Sequence, residues 1–263
     1  MNSVNRTLYI PLYGKAFVSE RGMILRDPKA EEIWKKEGFS LKGKSASKWL
    51  AYYMSMRAAV FDRWVADQMK QLPDAVVIHI GCGMDSRILR VGDRGHLWFD
   101  LDFPEVIRER SRYFEQTDFY KMLGSDVTQL DWLEQIPKGN AIIVMEGVSM
   151  YLTASQRTAT LEAISHSFDH AVLLMDCYTT FAAKASKVKN PINDVGVTQV
   201  YGLDDPEEAA CGRFRFVSEY EMTPDDLIGQ LHGGEKWIFR KLYAGSFAKK
   251  MYRMYNYEIG IRG

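Results

Sequence analysis

Two glycines flank a cysteine at Gly81-Cys82-Gly83, directly after an apolar, largely β-branched run, Ala75-Val76-Val77-Ile78-His79-Ile80. A second short apolar run, Leu97 to Leu101, ends in a carboxylate, Asp102, about 20 residues beyond the glycines. Residue types in that order suit the binding of a nucleoside. Glycines without Cβ atoms adopt positive φ and let a ligand approach the backbone, the following helix offers free N–H groups, and the carboxylate accepts from ribose hydroxyls. A helix cap is the plainer reading of Asp102. A nicotinamide dinucleotide needs a third glycine three residues after the second, and Ser86 stands there instead. Lys42-Gly43-Lys44-Ser45 contains glycine and lysine without the spacing of a phosphate-binding loop, which sets aside a nucleoside triphosphate.

Other side chains have the types and positions for chemistry. Arg57 lies four residues after Tyr53 and four before Phe61, inside an apolar helical stripe where an unpaired charge is costly. It either snorkels to a neighbouring carbonyl or holds an anion with its planar fork. Glu146 directly follows a buried strand, at the edge where open α/β sheets keep their ligand contacts. Asp176, Tyr178 and Thr179-Thr180-Phe181 end a later strand and are expected to face a ligand pocket, with Asp176, Tyr178 and Glu146, on position alone, as candidate bases should a phenol or alcohol react. Asp85 reads as a helix cap or loop anchor, while Cys82 and His79 read as core residues. His166 and His170 straddle a helix end and have no partner to complete a ligand set, so no metal is expected.

The elements that position these groups follow from periodicity. A loosely helical segment, Thr7 to Glu20, precedes a polar helix at Lys29 to Glu37 and a long helix from Ser47 to Leu72, which carries Arg57. Strands are expected at Ala75–Ile80, Leu97–Asp102, Lys121–Asp126, Ala141–Met145, Ala171–Cys177, Arg213–Tyr220 and Tyr255–Ile261. Pro104 opens one helix, Asp131 to Glu134 suggests a short capped one, and Thr153-Ala154-Ser155-Gln156 is a capping box for a helix ending at Phe168. Further helices are expected to about Lys189 and through Lys236 to Tyr252, with a loop from Asn190 to Gly212 between them.

The 263 residues, 46% of them hydrophobic, suffice for one domain with a sizeable core. Lysine plus arginine equals aspartate plus glutamate, at 34 each, so no global field favours nucleic acid or an anionic membrane. The aromatic, basic stretch Lys249 to Arg253 reads as a solvated helix face. Three scattered cysteines and an N-terminus without signal-peptide order suggest a reduced, cytoplasmic protein, and the strongest apolar stretch is too short to span a bilayer.

Gly81-Cys82-Gly83-Met84-Asp85-Ser86-Arg87, followed by Phe99-Asp100-Leu101-Asp102-Phe103-Pro104-Glu105-Val106-Ile107, resembles the leucine carboxyl methyltransferase family, especially its bacterial branch linked to polyketide O-methylation. Ile24 to Ile33, Met145-Glu146-Gly147-Val148-Ser149-Met150-Tyr151-Leu152 and Tyr201 to Pro206 extend the resemblance over most of the chain. It implies a Rossmann-like class I α/β fold: a mostly parallel seven-stranded sheet flanked by helices, with an N-terminal helical cap over residues 1–46 and an acceptor-pocket loop at 190–212. The implied cofactor is S-adenosylmethionine, leaving as S-adenosylhomocysteine. Its implied contacts are Arg57 with the methionine carboxylate, Gly81, Cys82, Gly83 and Leu101 with the backbone approach, Asp102 with the ribose, Asp126 and Val127 with the adenine, and Glu146 beside the methionine part. The implied reaction is O-methylation of a carboxylate or hydroxyl on a small molecule. A protein C-terminal carboxylate as acceptor, and a cofactor-binding protein without turnover, are the alternatives; oligomeric state is left open.

Overall fold

A computed structural model describes residues 8–38, 41, 43–186 and 199–259. Among the described residues three α-helices come first: α1 (Tyr9–Ser19), α2 (Pro28–Glu37) and α3 (Lys48–Gln71). Asp27 caps α2 by accepting the Ala30 N–H at 2.9 Å, with Pro28 at the first helical position. Ser47 caps α3, its side chain accepting from the Trp49 N–H. Gly14 lets α1 close on α3, because a Cβ there would stand 3.2 Å from the Ala51 carbonyl oxygen.

Strands and helices then alternate: β1 (Val76–Ile80), α4 (Arg87–Val91), β2 (Trp98–Asp102), α5 (Pro104–Arg110), β3 (Tyr120–Gly124), β4 (Asn140–Met145), α6 (Ala154–Ser167), β5 (His170–Tyr178) and α7 (Thr180–Ser186). The chain closes with β6 (Phe214–Glu219), α8 (Asp225–Ile228), α9 (Gly234–Tyr243), α10 (Ser246–Lys249) and β7 (Tyr252–Ile259). The seven strands form one sheet in the order β3-β2-β1-β4-β5-β7-β6, parallel through β5, with β7 antiparallel to both neighbours. This is the mostly parallel α/β sheet expected from the sequence, and the Thr153–Gln156 capping box opens α6 as expected.

Strand periodicity decides which side chains meet. Val76, Ile78 and Ile80 of β1 pack with Ile143 and Met145 of β4 in the core under α6, where Leu161 and Ile164 cover them. Val77, Val144 and Leu174 face the opposite side and pack with Met56, Phe61 and Trp64 of α3. Even-numbered positions just beyond Val144 and Leu174 therefore point toward α3, and these are Glu146 and Asp176. Fold and charge placement come from the same alternation.

Three expectations about elements need correction. The helix expected from Lys236 to Tyr252 is two helices, α9 and α10, broken at Ala244-Gly245 where glycine lowers helix propensity, and Tyr252 already belongs to β7. The stretch Lys249 to Arg253 is thus not one solvated helix face: Arg253 pairs with Glu219 of the neighbouring strand at 2.6 Å. Leu130–Gln135 is a 3₁₀ turn without a side-chain cap. Residues 187–189 of the helix expected to about Lys189, and Gly260 and Ile261 at the end of the last expected strand, lie outside the described residues; the structure places Thr180–Ser186 and Tyr252–Ile259.

Candidate active site

A cavity of about 590 Å³ opens at the carboxyl ends of the parallel strands, beneath α1 and beside the first half of α3. Arg57, Gly81, Cys82, Gly83, Leu101, Asp102, Asp126, Val127 and Glu146 all border it, as does Tyr178.

The glycine loop is held from below. Gly81 and Cys82 donate their N–H groups to the Leu101 carbonyl, and Gly83 donates to Asp102 Oδ2 at 2.7 Å. Gly81 has φ +68°, and a Cβ there would lie 2.1 Å from Val148 Cγ2. The Gly83 carbonyl accepts from Arg110 Nη1 at 3.0 Å, and Arg110 is itself fixed by the buried Asp100 and by Tyr120. Asp100 and Asp102 share strand parity but do different work: the first anchors the loop from the core, and the second reaches the cavity. Burial pushes the Asp102 carboxyl up to about 6, against the pull of the Gly83 and Phe103 N–H groups. Farther along, Asp126 Oδ1 accepts from the N–H and hydroxyl of Thr128, at 2.9 and 2.8 Å. The Val127 carbonyl accepts from Trp132 Nε1.

Buried charge gathers at the other end. Arg57 Nε donates to Glu146 Oε1 at 2.9 Å, and Nη1 donates to Asp176 Oδ2 at 2.8 Å and to the Tyr252 hydroxyl at 3.0 Å. The cation is neither snorkelled nor unpaired. Glu146 also takes Arg87, and although burial raises its pKa, Arg57 and Arg87 outweigh burial and hold it down to about 2. His79 is a core residue as expected, 3.2 Å from Arg87 Nη1, and burial followed by the Arg87 charge lowers its pKa. Cys82 is buried, and burial raises its thiol pKa well above the usual range.

Several expected roles are overturned here. Of the two readings of Asp85 the helix cap fails, since α4 is entered at Ser86 without a side-chain cap, and the loop anchor holds: Asp85 pairs with Lys15 at 3.0 Å, Arg90 at 2.7 Å and Arg87 at 3.2 Å. Asp176 does not face the cavity: it is fully buried, with Oδ1 accepting from Gly147 N–H at 2.6 Å and Oδ2 from Arg57. Thr179 and Thr180 turn away to Lys250 and Asp204, and Phe181 is exposed. Of the loop expected at 190–212, residues 190–198 lie outside the described residues, and 199–212 do not border the cavity. That segment runs beside the end of β5, where Leu203 N–H bonds the Tyr178 carbonyl, and Gly202 passes so close that a Cβ would fall 2.4 Å from the Thr180 nitrogen.

Two cavity residues escape the sequence reading. Lys15 is buried on α1 between Leu12 and Ala16, and its signal is a lysine on an apolar helix face, the same pattern that marks Arg57. Tyr252 escapes because its segment reads as helix. Together with Tyr53, Tyr178 and Tyr243 it forms an aromatic wall, with Tyr178 and Tyr252 edge-to-face at 4.8 Å.

Residues 5–165 match the leucine carboxyl methyltransferase family. The chain belongs to that family. Its members are S-adenosylmethionine-dependent methyltransferases, and this chain has their fold. It is 28% identical to the tetracenomycin polyketide synthesis O-methyltransferase TcmP of Streptomyces glaucescens, over 90% of each chain. It is 24% identical to the S-adenosyl-L-methionine-dependent methyltransferase dpfgK of Gibberella zeae, over 79% of this chain and 78% of that one. In three dimensions it is similar to the magnesium protoporphyrin IX methyltransferase of Synechocystis PCC 6803, solved with bound SAH, at a TM-score of 0.51 and 12% identity over 94% of this chain and 100% of that one. No helix among the described residues is long and apolar enough to cross a membrane.

Proposed function

We propose that this leucine carboxyl methyltransferase family member transfers the methyl group of S-adenosylmethionine to an oxygen of a small molecule, a carboxylate in preference to a hydroxyl. The observation that carries this reading is the sharing of one cavity by three kinds of surface. A glycine loop with Asp102 suits a ribose, the Arg57, Lys15, Glu146 and Asp85 group suits an amino-acid zwitterion, and a wall of tyrosine, methionine and leucine remains for an acceptor.

The residues present fit the cofactor. Gly81 and Gly83 hold positive φ where the loop backbone borders the cavity, Asp102 presents carboxylate oxygens at the cavity edge, and cations stand beside carboxylates at the opposite end. When bound, S-adenosylmethionine supplies a methyl group on a positive sulfur, already electrophilic. The chain's part is then to align the acceptor oxygen and exclude water. Among the described residues of the tyrosine-rich wall there is no carboxylate, imidazole or amine; Glu146 and Asp85 are held ionised in ion pairs, and Asp176 is sealed beneath the cavity. A carboxylate acceptor is ionised at pH 7 and needs no base. The small-molecule assignment follows the likeness to TcmP across nearly the whole of both chains.

The test is transfer of isotope-labelled methyl from S-adenosylmethionine to matched aromatic acids and phenols. With S-adenosylmethionine saturating at every pH, ester formation at a rate that stays level between about pH 6 and 8 is expected, because the acceptor is ionised throughout. Transfer confined to phenols, rising with pH, would overturn the preference for a carboxylate. Label found only in added protein C-termini would overturn the small-molecule assignment, and binding without transfer to any acceptor would favour a non-catalytic role.

A further inference from the structure

The Arg57 guanidinium is fixed along two edges. Nε is held by Glu146, and Nη1 by Asp176 and the Tyr252 hydroxyl, whereas Nη2 has no hydrogen-bond partner among the described residues. Nη2 lies next to Gly147, where a Cβ would stand 3.6 Å away. The Tyr252 hydroxyl and Asp176 Oδ2 both accept from Nη1, so two groups on paired strands hold the same nitrogen. Asp176 is also tied to the backbone at Gly147, so this grip is anchored to the turn after β4.

Glu146 by itself grips one edge of the fork and leaves the plane free to swing about that contact. Asp176 and Tyr252 remove that freedom, which is how a planar, delocalised cation is preorganised. The Tyr252 ring borders the cavity and packs edge-to-face on Tyr178 at 4.8 Å and on Tyr53 at 6.3 Å. Backbone pairing of Tyr252 with Tyr178 sets its height at the sheet edge.

We infer that Tyr252, acting with Asp176, is a positioning residue that holds the Arg57 guanidinium so that Nη2 faces the carboxylate of the cofactor's amino-acid part. The inference rests on the proposed methyl-donor site and deepens it.

Titration calorimetry with two probes tests it: S-adenosylhomocysteine, which carries the amino-acid carboxylate, and 5′-methylthioadenosine, which lacks it. The proteins are the wild type, Tyr252→Phe, Asp176→Asn and, as a control, Tyr257→Phe, which removes a hydroxyl of the same strand bonded to the Pro206 carbonyl. Tyr252→Phe and Asp176→Asn are expected to weaken S-adenosylhomocysteine about tenfold, the scale of one hydrogen bond to a charged group, and to leave methylthioadenosine unchanged. Tyr257→Phe is expected to change neither. Equal losses for both probes, or an unchanged affinity for S-adenosylhomocysteine, would overturn the inference while leaving the methyl-donor site in place. If the wild type binds neither probe, the methyl-donor site fails and the inference fails with it. Should Tyr252→Phe not fold, Asp176→Asn carries the comparison alone.

Discussion

Arg57 and Asp176 lie 119 residues apart in the chain, yet Nη1 of the first donates to Oδ2 of the second at 2.8 Å, beneath the cavity and away from water. Strand parity puts Asp176 on the face that α3 covers, and the helical stripe turns Arg57 toward it. A carboxylate that by position alone suggests a base is thereby a fixed counter-charge.

Removing Arg57 leaves that counter-charge unmatched. Glu146 keeps Arg87, but among the described residues the Asp176 side chain keeps the Gly147 N–H alone, so Arg57→Met is expected to destabilise by about 3–5 kcal/mol. Adding Asp176→Asn should recover a substantial part of the loss. Urea unfolding of both variants checks this; a double variant no more stable than the single one would contradict it.

Gly81→Ala meets two obstacles, a positive φ of +68° and a Cβ position 2.1 Å from Val148 Cγ2. A loss of about 1–3 kcal/mol is expected from the backbone strain alone, with a steric part added. Val148→Ala in the same chain should relieve the steric part and leave the strain. Thermal unfolding of the single and double variants separates the two, and complete rescue by Val148→Ala would rule out the strain.

Asp102 gives the site a pH dependence. Its folded pKa, about 6, lies above the ordinary carboxylate value because of burial. The protonated form therefore favours the fold: that contribution is full below about pH 4 and is lost as pH rises through about 6. Binding has the opposite sign, since ribose hydroxyls donate to the ionised form. S-adenosylhomocysteine affinity is expected to rise between about pH 5 and 7, by up to tenfold per pH unit, with the rise missing in Asp102→Asn. Calorimetry across that range checks it; the same rise in wild type and variant would assign the titration to another group.

Much of this is legible in the sequence because the physics is local. Apolar runs ending in glycine or aspartate declare parallel strands and their ligand edge, and Gly81, Gly83, Asp102 and Glu146 border one cavity for that reason. Partner choice is not legible. Whether Asp85 caps a helix or pairs with Lys15 depends on where α1 docks, a contact distant in sequence. Tyr252 is hidden because a basic, aromatic segment fits a helix face as well as an antiparallel strand, and only pairing with β5 decides between them. Asp176 sits at the strand end that the sequence predicts, but its burial is set by α3, which periodicity within β5 does not describe.

The most direct test of the central claim is thermal unfolding of the purified protein with S-adenosylhomocysteine, with NADH in parallel. At about a hundred times its dissociation constant a ligand adds roughly 2.7 kcal/mol, a rise of about 5 °C for a chain of this size. A rise with S-adenosylhomocysteine alone, absent in Arg57→Met and Asp102→Asn, is the expected result. No rise with S-adenosylhomocysteine, or one with NADH in its place, would contradict the assignment of this cavity to a methyl donor.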